Sequence, residues 1–190
     1  MSRLGSILPL YTCSMFLYIM PIALFAKREK IKTAALNFMC TMMLPLGFVS
    51  MFLSLMMTVG CSLFSFYGLH TLIYHSMLYI VPMVILITGY YKPKWKDVWS
   101  GLLLFACIVA VVLTFDTICK VDYMYLYDGS TFTVVSFITN AVPHRLVWTA
   151  ILLVCYFVIM VATQALILGI IKLVNKKKVV IEDKKEPQTE

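Results

Sequence analysis

An all-α, polytopic transmembrane bundle is the fold class that this sequence predicts, with five spans, the N-terminus outside and the C-terminus cytoplasmic. Three observations predict it. Apolar residues make up 62% of the 190 residues and mean hydropathy is +0.91, whereas soluble domains are about 45–50% apolar. Charged residues are 13% of the chain, against about 25% in soluble domains, and they cluster, so that long runs are nearly free of them. The basic clusters also fall on one side of the bilayer when the chain is threaded through it five times.

A spanning helix needs about 20 largely apolar residues. The first run covers residues 7–26 and stops at Lys27-Arg28-Glu29-Lys30. With only Arg3 ahead of it and a multi-lysine stop behind it, it is read as a span and not as a signal peptide. The second run covers residues 34–57 and contains Pro45, which predicts a kink. The third covers residues 69–90, contains Pro82 and ends at Lys92-Pro93-Lys94-Trp95-Lys96. The fourth covers residues 98–119, and a polar stretch follows it from Lys120 to Arg145. The fifth covers residues 146–174 and is longer than a span requires, so it tilts or continues beyond the membrane as helix. Residues 1–175 thus form one transmembrane domain, and residues 176–190 a charged cytoplasmic tail expected to be disordered.

Charge fixes the orientation. Thirteen of the sixteen lysines and arginines lie in the loop after span one, the loop after span three and the C-terminal end; Arg3, Lys120 and Arg145 lie on the other side. The basic side is cytoplasmic by the positive-inside rule. The net charge of +7 therefore reports topology, and no nucleic-acid partner is inferred from it. The expected setting is the cell membrane, with membrane lipids as partners; the sequence names no protein partner. None of the six cysteines forms a CxxC pair, so neither a metal site nor a cofactor is expected.

Ionisable residues within a membrane protein are functional candidates by default. The topology gathers Tyr11, Cys13, His70, His75, Asp116, Asp122, Tyr123, His144 and Arg145 near the outer face. The inner halves of the spans hold chiefly Asn37 and Gln164. A thiol is a good nucleophile once deprotonated, an imidazole can take its proton, and a carboxylate can orient the imidazole. Cys13 and His75 are the catalytic candidates on this logic, the others the binding candidates, and acyl transfer on a lipid is the chemistry that such a group suits. Plainer roles compete: a packing thiol for Cys13, an interhelical hydrogen bond for His75, an intrahelical ion pair for Asp116 with Lys120, and an aromatic belt for the outer tyrosines. Cys61 and Cys119 share the outer face, where a disulfide is conceivable. A transporter, or a partner-binding or structural membrane subunit without catalysis, is the alternative class.

Leu8-Pro9-Leu10-Tyr11-Thr12-Cys13-Ser14, Ile73-Tyr74-His75-Ser76 with the later Lys92-Pro93, and Asp122-Tyr123-Met124-Tyr125-Leu126 occur in the order and spacing of the YwaF-like bacterial integral membrane family. Over roughly residues 8–170 the chain resembles that family, with Tyr11 where it usually has histidine and Asp122 where it usually has asparagine. Its members commonly carry a further span upstream. The family is distantly similar to a eukaryotic transmembrane family of cysteine-dependent lipid acyltransferases. The resemblance implies Cys13 as acyl acceptor and His75 as its partner.

Overall fold

The computed structural model describes residues 10–57, 65–126 and 145–183, and among these every regular element is helical. A 3-10 turn, Cys13–Met15, leads into α1, Phe16–Phe25. Helix α2, Glu29–Phe38, passes through a π turn, Met39–Met43, into α3, Leu44–Met57. Helix α4 is Phe66–Ile87 and α5 is Asp97–Cys119. A short 3-10 turn, Tyr123–Tyr125, follows, and α6 is Arg145–Asp183.

Among the described residues four helices are long and apolar enough to cross a membrane: Glu29–Phe52, Gly68–Ile87, Asp97–Cys119 and Leu146–Lys176. The first expected span is shorter. Its helical part, Cys13–Phe25, extends only about 20 Å at 1.5 Å per residue, against a hydrocarbon core of about 30 Å. The second helix starts at Glu29, five residues before the expected Ala34, because Glu29 to Thr33 suits a first helical turn with its acid at the N-terminus. The third ends at Ile87 and not at 90, because Gly89 takes a left-handed conformation (φ 70°) that turns the chain. Helix α6 continues through residues 176–183 of the charged tail segment. Nothing between Lys176 and Asp183 breaks a helix, since the segment contains no proline or glycine.

The α2–π–α3 rod is the centre of the bundle. Of its most apolar window 56% is buried, against 17–22% in the other three long helices, whose remaining faces are the apolar surface expected to meet lipid. Pro45 explains the π turn. It has no N–H to offer the Thr41 carbonyl and its ring would strike that carbonyl in a regular helix. The widened turn, closed by the Leu44 N–H on the Met39 carbonyl, adjusts the ladder just before the proline. All five residues of the turn are buried, with Met39, Cys40, Met42 and Met43 fully so; unbranched methionine fills the irregular space that such a turn creates. An aromatic column crosses the bundle beside it, Phe38 stacking on Phe105 (6.1 Å between centroids) and Phe105 meeting Tyr156 edge-on (5.4 Å).

Two glycines let helices touch. A Cβ on Gly47 would lie 2.6 Å from Leu78 Cβ and 2.9 Å from backbone atoms of α4. A Cβ on Gly101 would collide with Asn37 Oδ1, whereas one on Gly169 would meet nothing within 4 Å. Gly47→Ala and Gly101→Ala should each lower stability by about 1–3 kcal/mol, and Gly169→Ala should be neutral or stabilising by up to about 1 kcal/mol. Thermal unfolding of the three variants in one detergent checks the order; equal midpoints would contradict these interfaces.

Candidate functional site

The helix ends form two polar layers. The basic segments Lys27–Lys32 and Lys92–Lys96 come together at one of them: Lys32 Nζ sits 4.8 Å over the Tyr90 ring. Cys13 lies at the opposite, thiol end.

At the thiol end, Cys13 opens the helical segment Cys13–Phe25. The Tyr74 hydroxyl donates to the Cys13 carbonyl at 3.1 Å, and the Cys13 sulfur has Ser14 Oγ at 4.0 Å. Thr12 and Tyr156 hydroxyls meet at 3.4 Å. Tyr11 packs edge-on against Tyr123 (5.2 Å) and beside Tyr125 (6.0 Å). Asp116 is fully buried, and its Oδ1 accepts the Tyr123 N–H at 3.1 Å. That contact replaces the expected pairing with Lys120, which is exposed and ends α5 in the left-handed conformation (φ 54°). Trp148 Nε1 donates to the Tyr125 carbonyl (2.9 Å) and Thr149 Oγ1 to the Leu126 carbonyl (2.7 Å), tying the 121–126 turn to α6. Burial pushes the Tyr125 phenol up to about 12.

His75 is half-buried, its ring 5.8 Å from and nearly perpendicular to that of Tyr74. Its Nδ1 lies 2.8 Å from the Thr71 carbonyl. A carbonyl only accepts, so Nδ1 carries the proton and Nε2 is the basic atom of the neutral ring. Among the described residues no hydrogen bond joins Cys13 and His75; Tyr74 stands between them. His70 stacks parallel to Tyr74 at 6.2 Å. An apolar groove of about 340 Å³ runs along α4 between Phe66, His70, Tyr74 and Met77, so the tyrosine that holds the Cys13 backbone also forms its wall.

The other candidates fare unevenly. Asp122 precedes the Tyr123–Tyr125 turn, half-buried. Arg145 is the first residue of α6. His144 and Cys61 lie outside the described residues, and Cys119 is a free thiol. Tyr74, Trp148 and Thr149 were missed as site-forming residues. Tyr74 stands beside His75 in the same motif, which was its only signal; it reads otherwise as one more belt aromatic.

The basic end holds a second buried assembly. Asn37 Nδ2 donates both to Gln164 Oε1 (2.9 Å) and to the Tyr91 hydroxyl (3.2 Å). Tyr91 in turn donates to Asp97 Oδ2 (2.9 Å), which also accepts the Lys94 N–H (2.9 Å). Gln164 Nε2 closes the circuit on the Lys94 carbonyl at 2.8 Å. Burial, above all, raises the Tyr91 phenol far above its usual range, so it remains a neutral donor. Asn37 Oδ1, buried against Gly101, has no hydrogen-bond partner among the described residues. Among the described residues no cluster of three metal-ligating side chains occurs.

The model of the TMEM164 family matches residues 2–168 of the chain. No curated protein and no solved structure matches it.

Two outcomes test this geometry. Asp116→Ala should speed amide exchange of the 121–126 turn by roughly one to two orders of magnitude, the cost of leaving a buried N–H without its acceptor. Asp116→Asn, which keeps an acceptor oxygen, should preserve most of the protection; equal exchange in both variants would refute the role. Tyr125 has a folded pKa above its usual 10.0, so its contribution to stability is full below about pH 10 and is lost as pH rises through about 12. Alkaline unfolding of Tyr125→Phe should accordingly be flatter across that window than that of the unaltered chain.

Proposed function

We infer that this chain, which belongs to the TMEM164 family, is a multi-pass membrane protein that moves acyl groups between lipids through Cys13, with His75 as the proton acceptor. The observation that carries this reading is the setting of Cys13. It is a thiol in the first helical turn, its backbone held by Tyr74, beside an apolar groove and one residue removed in contact from an imidazole whose Nε2 is basic. The YwaF-like motifs mark the same residues. With the basic end cytoplasmic, the site lies in the outer leaflet of the cell membrane.

The chemistry balances without a further reactant. His75 Nε2 takes the thiol proton, directly or through one water, and the thiolate attacks the ester carbonyl of a phospholipid. Collapse of the tetrahedral intermediate breaks the ester C–O bond, and the departing lysolipid oxygen takes the proton back from the imidazolium, leaving a thioester on Cys13. A hydroxyl of an acceptor lipid, deprotonated by His75, then attacks the thioester. The new ester leaves and the proton returns to the cysteine sulfur. The acyl chain lies in the groove between Phe66 and Met77.

A second reading is structural, in which the polar residues only bind helices to one another. The Tyr74 bond favours it, since it engages the Cys13 carbonyl and not the sulfur.

Purified protein incubated with phosphatidylcholine carrying an alkyne-tagged acyl chain separates the two. The acyl-transfer reading expects a hydroxylamine-labile adduct on the Cys13 peptide. Cys13→Ser should abolish it, and His75→Ala should slow its formation about 10²- to 10⁴-fold. Label spread evenly over the six cysteines, or retained in Cys13→Ser, would favour the structural reading.

A further inference from the structure

We propose that the basic end carries a lipid site of its own, a groove between α2 and α5 that seats one anionic glycerophospholipid, independent of any chemistry at Cys13. The groove has a volume of about 600 Å³ and is graded along its length. Its mouth is polar, with Glu29, Lys30, Lys96, Asp97 and Ser100; its depth is apolar, with Leu103, Leu104 and Cys107. That gradient matches a phosphate followed by acyl chains.

Level and charge both agree. Trp95 and Trp99, 50% and 64% exposed, flank the mouth in sequence, and exposed tryptophans settle at the headgroup layer. The two loops that border the groove carry Lys27, Arg28, Lys30, Lys32, Lys92, Lys94 and Lys96 against only Glu29 and Asp97, so a negative headgroup is favoured. Neither carboxylate cancels the field at the mouth. Asp97 is engaged by Tyr91 and the Lys94 N–H, and Glu29 sits in the first turn of α2, where helix N–H groups favour an acid. Lys32 is spent on the Tyr90 ring. Lys30 and Lys96 are exposed, and among the described residues no ion pair holds either ammonium, so both are available for phosphate oxygens.

The full chain, reconstituted in phosphatidylcholine vesicles doped with phosphatidylglycerol and released for native mass spectrometry, tests the site. One phosphatidylglycerol should stay bound. Lys30→Gln with Lys96→Gln should weaken its retention roughly ten- to thirtyfold, about what two interfacial lysines contribute. Lys27→Gln with Lys92→Gln, outside the groove at the same end, should change it little. Cys107→Trp, at an exposed position lining the apolar depth, should expel the lipid with every lysine in place. Excess inorganic phosphate should not compete. The proposal is overturned by equal retention of phosphatidylcholine, by equal loss in the two lysine pairs, by retention in Cys107→Trp, or by displacement with phosphate. An unchanged elution profile for each variant shows that it has folded. None of these readouts involves Cys13, so failure here leaves the acyl-transfer reading standing, and the reverse.

Discussion

Asn37 occupies the place where α2, α6 and the α4–α5 turn meet, and the buried amide circuit built on it constrains everything around it. Within lipid an amide finds no water, so each polar atom must be answered by protein or bear its desolvation cost. Asn37 Nδ2 is answered twice, by Gln164 and Tyr91. Interhelical hydrogen bonds of this kind are each worth only about 0.6–2 kcal/mol in membranes. Their directional demand is larger than their energy, because a shift of α6 by one turn would orphan two amides at once. The circuit therefore sets register more than it sets stability. It also dictates Gly101. Asn37 Oδ1 points at α5 so closely that only a residue without a Cβ fits opposite.

The same region explains the π turn. Met39 to Met43 begins two residues after Asn37 and ends two before Pro45. The turn reconciles two fixed requirements on one rod: Asn37 must face Gln164, and the chain beyond Pro45 must present Gly47 to Leu78. A regular helix through the proline would meet the first or the second. An inserted wide turn rotates the outer half relative to the inner half, and the surrounding methionines absorb the resulting irregularity.

Hydropathy made the helices legible, and the spacing of lysines pointed to which helix ends lie near one another, as Lys32 over Tyr90 do. Rotation about each helix axis was not legible. Tyr74 and His75 are about 100° apart on α4, so only one of them can face α1, and a one-sequence reading chose the histidine on chemical grounds where the contact goes to the tyrosine. Asn37 and Gln164 stood out as the polar residues of the inner halves, but their link to Asp97 runs through Tyr91, which the left-handed Gly89 folds back into the bundle. A turn that reverses the chain in two residues leaves no periodic trace. Pro45 signalled a disturbance without saying whether the helix would kink or widen.

The two ends of the bundle are fastened by different means, and the difference bears on what each can do. At the basic end the bonds run largely between side chains, so the assembly depends on the identity of each residue. At the thiol end the cross-helix bonds land mostly on backbone: Tyr74 on the Cys13 carbonyl, Trp148 and Thr149 on the carbonyls of Tyr125 and Leu126, Asp116 on the Tyr123 N–H. Backbone fastening fixes where a residue stands without using its side chain. Cys13 is thereby located to within a hydrogen bond, while its sulfur is packed against the core with Ser14 Oγ at 4.0 Å. A packing thiol is served by that arrangement, because the fixed main chain seats its side chain against the core. A covalent carrier would be served equally, because the main chain is still while the sulfur reaches first a donor ester and then an acceptor hydroxyl.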